Sequence, residues 1–92
     1  MIRLKGHLIC LSEDEAKTVR VHLADHIRMS RAEPGCLSFD VTQTDDPLIW
    51  DVQESFRTRD DFDAHQTRTR ASPWFEATRH ILRDFRIEEL RD

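Results

Sequence analysis

Apolar and polar residues alternate along four segments of the chain. From residue 2 to 11, apolar side chains at every second position alternate with Arg3, Lys5 and His7, which is the pattern of a strand with one buried face. The same alternation returns in residues 36–44, 48–56 and 83–90. In the second segment it predicts that Leu37, Phe39 and Val41 share a buried face.

Helix signals lie between the strands. Ser12 and Glu15 form a capping box, which predicts a helix that begins there and runs to about Ala32. Pro34 and Gly35 then end it, because the residue before a proline is biased away from helical geometry. The predicted buried stripe of this helix consists of Ala16, Val19, Leu23 and Ile27.

A second helical region follows the third strand and is interrupted once. Thr58 is its predicted N-cap, and Phe62, His65 and Thr69 fall at helical spacing along one side. Ser72 followed by Pro73 restarts a helix, since proline suits the first helical position. The expected inner face of this last helix consists of Trp74, Ala77, Thr78 and Ile81.

The resulting order is βαββαβ, with the second helix broken at Pro73. This order is typical of the α+β ferredoxin-like split βαβ fold, a four-stranded antiparallel sheet with both helices on one face. Residues 1–92 are expected to form a single domain, and a core this small favours an obligate dimer.

Composition excludes several classes of function. The formal charge is −4 and acids and bases are interleaved, whereas nucleic-acid binding needs a clustered positive face. No run approaches the roughly 18 apolar residues of a membrane span, so no membrane partner is expected. Cys10 and Cys36 lack CxxC spacing and sit in strand-like runs, which favours reduced thiols and a cytoplasmic location.

Motifs for cofactors and metals are missing from the sequence. The two glycines, Gly6 and Gly35, cannot build a phosphate-cradling loop, so no nucleotide cofactor is expected. His22 and His26 are four residues apart on the first helix, but no third ligand follows from the pattern, so no metal site is predicted.

His65 and Glu54 are the candidate catalytic residues. Each stands where the periodicity expects a side chain that faces the helix–sheet interior. Two interpretations stand: a satisfied boundary histidine and a rim glutamate paired with an arginine, or an acid–base pair in one cleft. The residues expected to wall such a cleft, or else simply to form core, are Phe39, Trp50, Phe62, Trp74 and Phe75.

Three stretches together carry a family resemblance: "EPGCLSFDV", "DPLIWDVQESF" and "DDFDAHQTRTRASPWF". They resemble the antibiotic biosynthesis monooxygenase (ABM, quinol monooxygenase-like) domain over nearly the whole chain. The resemblance implies homodimers whose sheets pack as a dimeric α/β barrel, with a ligand cavity between sheet and helices. It also implies that Glu54 is the strand-end glutamate, that His65 is the helix histidine, and that Trp74 and Phe75 close the pocket.

The leading hypothesis is a cofactor-independent monooxygenase that oxidises a small aromatic or quinol with dioxygen. His65 would act as base or orienter, and Glu54 would fix its tautomer or bind a substrate hydroxyl. An isomerase of a small phosphorylated metabolite is the alternative, for which Arg68, Arg70 and Arg79 are the nearby cations. Haem degradation, with His65 or His80 as axial ligand, and a non-catalytic ligand-binding dimer also stay open.

Overall fold

Seven regular elements follow one another in the computed structural model, which describes residues 1–91; Asp92 lies outside the described residues. They are β1 (Ile2–Ile9), α1 (Glu13–Arg31), β2 (Cys36–Gln43), β3 (Ile49–Phe56), α2 (Arg59–Arg70), α3 (Pro73–Thr78) and β4 (Leu82–Glu89).

The four strands form one antiparallel sheet in the order β2-β3-β1-β4. Leu4 on β1 pairs with Glu54 on β3 at one side and with Ile87 on β4 at the other. The ferredoxin-like βαββαβ prediction is confirmed, and β2 and β4 are the two edge strands.

The core lies between one face of the sheet and the helices. β1 and β3 each bury alternate residues, so a single face of these central strands packs inward. The fifteen buried apolar residues form one cluster, with Phe39 and Phe56 among its largest fully buried side chains. Among residues 1–91, no helix combines the length and apolar character needed to cross a membrane.

The helices begin where the capping signals predicted. The hydroxyls of Ser12, Thr58 and Ser72 accept hydrogen bonds from backbone N–H groups three residues further on. Pro73 occupies the first turn of α3, and residues 71–72 separate this helix from α2. Both cysteines are free thiols.

Three details of the predicted pattern are wrong. Ile81, predicted on the inner face of the last helix, is buried but lies after the end of α3 at Thr78. Leu37 is 57% exposed rather than buried, because the register of β2 against β3 shifts between Cys36 and Ser38. In α1 the buried stripe continues from Leu23 through His26 and Ser30, and Ile27 is only partly buried.

Gly35 stands at a backbone position that favours glycine. Its φ is +84°, and a Cβ there would overlap the carboxyl group of Asp61, which also accepts a hydrogen bond from the Thr58 hydroxyl. We expect Gly35→Ala to lower the free energy of unfolding by about 1–3 kcal/mol in urea denaturation. The same substitution in an Asp61→Ala background removes the overlap with the carboxyl group, so it should cost less, although the strain and the 2.8 Å approach to the Cβ of residue 61 stay. Unchanged stability of Gly35→Ala would contradict this account.

Candidate active site

His65 points from α2 into the core. Thr58 caps this helix, and Phe62, one turn before His65, packs edge-on against Phe56 and fixes which side of α2 faces the sheet. The His65 side chain is only 2% exposed. Its ring lies 4.8 Å from the ring of Phe56 and 5.4 Å from that of Phe39. The imidazole is therefore enclosed by aromatic side chains rather than by water.

Glu33 is the closest polar partner of His65. Its Oε1 lies 2.6 Å from Nδ1 of His65, although the two residues are 32 positions apart in the chain. Arg68 holds the same carboxylate, because its Nη2 donates to Glu33 Oε1 at 3.3 Å and to the Ser30 hydroxyl at 3.0 Å. The loop after α1 is thus tied to α2 by one charged cluster.

The partner of each ring nitrogen defines the tautomer of His65. An ionised carboxylate can only accept hydrogen bonds, so Nδ1 carries the proton that is donated to Glu33. Nε2 is left as an acceptor, with the hydroxyl of Thr69 at 3.3 Å as its donor. Burial lowers the pKa of His65 and the bond with Glu33 opposes that effect, so the ring is neutral at pH 7 and presents a basic Nε2.

Glu54 faces the other side of the imidazole. Its Oε1 lies 3.6 Å from His65 Nε2, is buried, and has no hydrogen-bond partner among residues 1–91. Burial raises the pKa of Glu54 to about 8, and the negative charge of Glu33 adds to the shift. Glu54 is therefore mainly a neutral carboxylic acid at pH 7. The role predicted for it as the group that fixes the tautomer falls to Glu33 instead.

A cavity of about 250 Å³ opens beside this pair, between the sheet and the helices. His65, Glu54 and Thr69 are among its polar lining residues. Three of the aromatic residues predicted to wall the site line the cavity, namely Phe39, Trp74 and Phe75.

Trp50 and Phe62, also predicted to wall the site, are buried in the core outside the cavity lining. The ring of Phe62 packs against the ring of Phe56 instead. Trp50 lies on β3 four residues before Glu54, where it pairs with Leu8 of β1 and Gln43 of β2.

His26 is a cavity residue that the sequence analysis did not place. Its ring stacks on Trp74 with centroids 4.7 Å apart and planes 5° from parallel, and its edge meets Phe39 at 5.2 Å. Burial lowers the pKa of His26 to about 3, helped by the positive charges of Arg68 and Arg83, so the ring is neutral. The signal was its spacing of three residues after Leu23, which continues the buried stripe of α1.

Glu54 makes a pH-dependent contribution to stability that can be isolated. Because its pKa is about 8 in the folded state and near 4.5 otherwise, the unfolded chain releases this proton first as pH rises. The stabilisation that the protonated Glu54 side chain gives the folded state is therefore fully present below pH 4.5 and is lost as the pH rises towards 8. We expect the stability of wild type relative to Glu54→Gln, measured by urea unfolding, to fall by roughly 3–5 kcal/mol between pH 4.5 and 8.5. A flat difference would contradict the raised pKa.

Within residues 1–91, no group of three or more His, Cys, Asp or Glu side chains is placed to hold a metal ion.

The sequence profile of the antibiotic biosynthesis monooxygenase family matches residues 8–78, which is well over half of the chain. The chain belongs to this family. The match includes Glu33, Glu54 and His65, so the residues around the imidazole lie inside the family domain. No curated protein matched the sequence.

Solved structures of similar fold come from several organisms. A candidate antibiotic biosynthesis monooxygenase from Nitrosomonas europaea is 22% identical, with 97% of each chain covered and a TM-score of 0.80. A candidate of the same description from Deinococcus radiodurans is 21% identical, with 100% of this chain and 94% of that chain covered and a TM-score of 0.80. Rv0793 from Mycobacterium tuberculosis is 22% identical, with 99% and 95% covered and a TM-score of 0.75. At these identities the likeness shows the shared fold.

Proposed function

We propose that this ABM-family chain is a cofactor-independent monooxygenase that oxidises a phenol or hydroquinone with dioxygen. The observation that carries the proposal is the unprotonated Nε2 of His65 at an aromatic cavity, with the ring held by Glu33 through the opposite nitrogen and only the Thr69 hydroxyl at 3.3 Å from Nε2 as a described hydrogen-bond partner. A neutral imidazole with a fixed tautomer is a general base.

The first step we propose is removal of the hydroxyl proton of the substrate by Nε2. The imidazolium that forms is stabilised by the Glu33 carboxylate at 2.6 Å. The resulting phenolate is electron-rich enough to pass an electron to dioxygen. Oxidation of a phenol to a quinone then places one oxygen atom on the ring and releases the other as water, and the substrate supplies all four electrons.

Glu54 supports a second role. As a neutral carboxylic acid beside Nε2, it has a proton to donate to an oxygen of the substrate. Such a bond stabilises negative charge on that oxygen without adding a second anion to the cavity. Phe39 and Trp74 keep water from the reacting ring.

The proposed assembly is a cytoplasmic homodimer. The edge strand β4 exposes two large apolar side chains, Leu82 at 51% and Ile87 at 50%. An uncovered edge with apolar residues favours contact with a second copy. Free Cys10 and Cys36 suit a reducing compartment. Light scattering after gel filtration is expected to give twice the mass of one chain, and a single-chain mass would exclude this assembly.

Oxygen consumption tests the function. We expect purified protein to accelerate oxygen uptake by a panel of hydroquinones and naphthohydroquinones at least tenfold over the reaction in buffer. Labelled dioxygen should leave one labelled atom in the product, as mass spectrometry of the extracted quinone would show. The uncatalysed rate is measured at each substrate concentration and subtracted, because quinols react with oxygen unaided.

Other outcomes separate the alternatives. Uptake that never exceeds the buffer rate across the panel rejects the monooxygenase. Saturable binding of the same compounds without turnover would then favour a ligand-binding dimer. Conversion of a phosphorylated sugar without oxygen uptake would favour an isomerase. A Soret absorption band on adding haem, followed by its loss with a reductant, would favour haem degradation.

A further inference from the structure

Arg83 lines the cavity from β4, and β1 separates that strand from β3, which carries Glu54. Three hydrogen bonds hold its guanidinium against the end of α3. Nη1 donates to the carbonyl oxygens of Thr78 at 2.7 Å and Ile81 at 2.9 Å, and Nη2 donates to the Thr78 hydroxyl at 2.8 Å. The charged group is therefore braced in one orientation.

Two of the five N–H donors of this guanidinium have no partner among residues 1–91. They are the Nε–H and the second hydrogen of Nη2, which lie along one edge of the planar group. Two parallel donors on one edge match the two oxygens of a carboxylate. Bracing on α3 leaves that edge ready for a ligand at no further cost in side-chain entropy.

The charge of Arg83 is also unpaired within the described chain. No Asp or Glu oxygen among residues 1–91 lies within 4.0 Å of it, although Arg83 is partly buried. Arg70 lines the same cavity and also lacks a carboxylate partner there. A partly desolvated cation without a counter-ion is costly unless an anion joins it.

We propose that the cavity binds an elongated aromatic ligand that carries an acidic group, with the anion on Arg83 and Arg70 and a hydroxyl at the His65 end. This proposal rests on the proposed function for the orientation of the hydroxyl. It narrows the substrate class from phenols in general to phenols or hydroquinones with a carboxylate or another anionic substituent.

The sheet register sets the length of the ligand. Arg83 pairs with Leu8, which pairs with Trp50, and Glu54 lies four residues further along β3. The Cα atoms of Arg83 and Glu54 are therefore two strand spacings apart across the sheet and four residues apart along it. Together these offsets amount to roughly 16 Å. Both side chains reach into the cavity and shorten that gap. Two fused rings with the hydroxyl and the anion at opposite ends fit this arrangement.

Binding of a matched pair of compounds tests the proposal. 6-Hydroxy-2-naphthoate and 2-naphthol share the rings and the hydroxyl and differ by the carboxylate. In anaerobic titration calorimetry at pH 7.5, we expect wild type to bind the naphthoate about 10- to 100-fold more tightly. Arg83→Gln should remove that preference, because it should weaken binding of the naphthoate far more than binding of 2-naphthol. Arg79→Gln, at an exposed arginine outside the cavity lining, is the control and should behave as wild type.

Arg70→Gln keeps the test decisive if Arg83→Gln does not fold. Arg70 is exposed, and its side chain makes no hydrogen bond within residues 1–91, so its loss should weaken naphthoate binding alone, by about 3- to 10-fold. Equal binding of the two compounds to wild type, binding of neither up to millimolar concentration, or equal weakening of both by these variants would overturn the proposal. Because no turnover is required, arginine-dependent naphthoate binding without catalysed oxygen uptake would reject the monooxygenase and retain the anion site.

Discussion

Replacing His65 with alanine is expected to lower the catalysed rate of oxygen uptake by about 10²- to 10⁴-fold, the usual contribution of a general base. The reason is that, among residues 1–91, no other side chain places a basic atom where Nε2 of His65 lies. Glu54 is protonated at pH 7, and Thr69 offers only a hydroxyl. Added imidazole should restore part of the rate, since alanine leaves a space of that size. The measurement is kcat for oxygen uptake with the best quinol of the panel.

Two further variants separate chemistry from folding. His65→Gln retains a side chain that can donate to Glu33, so it should fold when His65→Ala does not, yet it supplies no base. His80→Gln is the matched control, because His80 is 61% exposed and, among residues 1–91, pairs only with Glu15, outside the cavity. Activity of His65→Gln within threefold of wild type would reject His65 as the base.

The architecture could be predicted from local patterns because each element buries one face of a regular repeat. Period-two strands and three N-cap serine or threonine residues located all seven elements to within a few residues. The exposure of Leu37 was not predicted, because the bulge depends on how β2 pairs with β3. The alternation of residues within β2 carries no information about that pairing. The burial of His26 was not predicted, because histidine is a polar residue and only the structure shows that its ring stacks on Trp74.

The site was only half predictable for a related reason. His65 and Glu54 stood out because polar residues occupied inward positions of a helix and a strand. Glu33 lies in the turn after α1, where periodicity carries no information about direction, and its bond to His65 joins residues far apart in sequence. Arg83 did carry a signal, since it alternates with Phe85 and Ile87, but an arginine at a strand end is ordinarily taken as solvent-facing.

Glu33→Gln is expected to lower kcat by about 10²- to 10⁴-fold while KM changes little. Glutamine removes the negative charge that stabilises the imidazolium, and its amide can donate a hydrogen bond as well as accept one. Nδ1–H is then no longer the one tautomer that the partner allows, and the tautomer with the proton on Nε2, which cannot act as a base, becomes populated. Glu33 is thus a positioning residue that acts through His65. The loss should appear in the pH profile, because an imidazole without its carboxylate partner is a weaker base and the acid limb moves to lower pH.

A structural role for Glu33 predicts a different set of results. If the residue served only to hold Arg68 and the turn after α1, Glu33→Gln would lower stability and leave kcat per folded molecule unchanged. Glu33→Asp restores the charge and should recover part of kcat. The exposed Glu76→Gln on α3 is the control for removing one negative charge. Proton NMR tests the contact directly, since we expect the short bond between Nδ1 and Glu33 to give wild type a downfield N–H resonance. Its absence from Glu33→Gln together with full activity would show that catalysis does not depend on this contact.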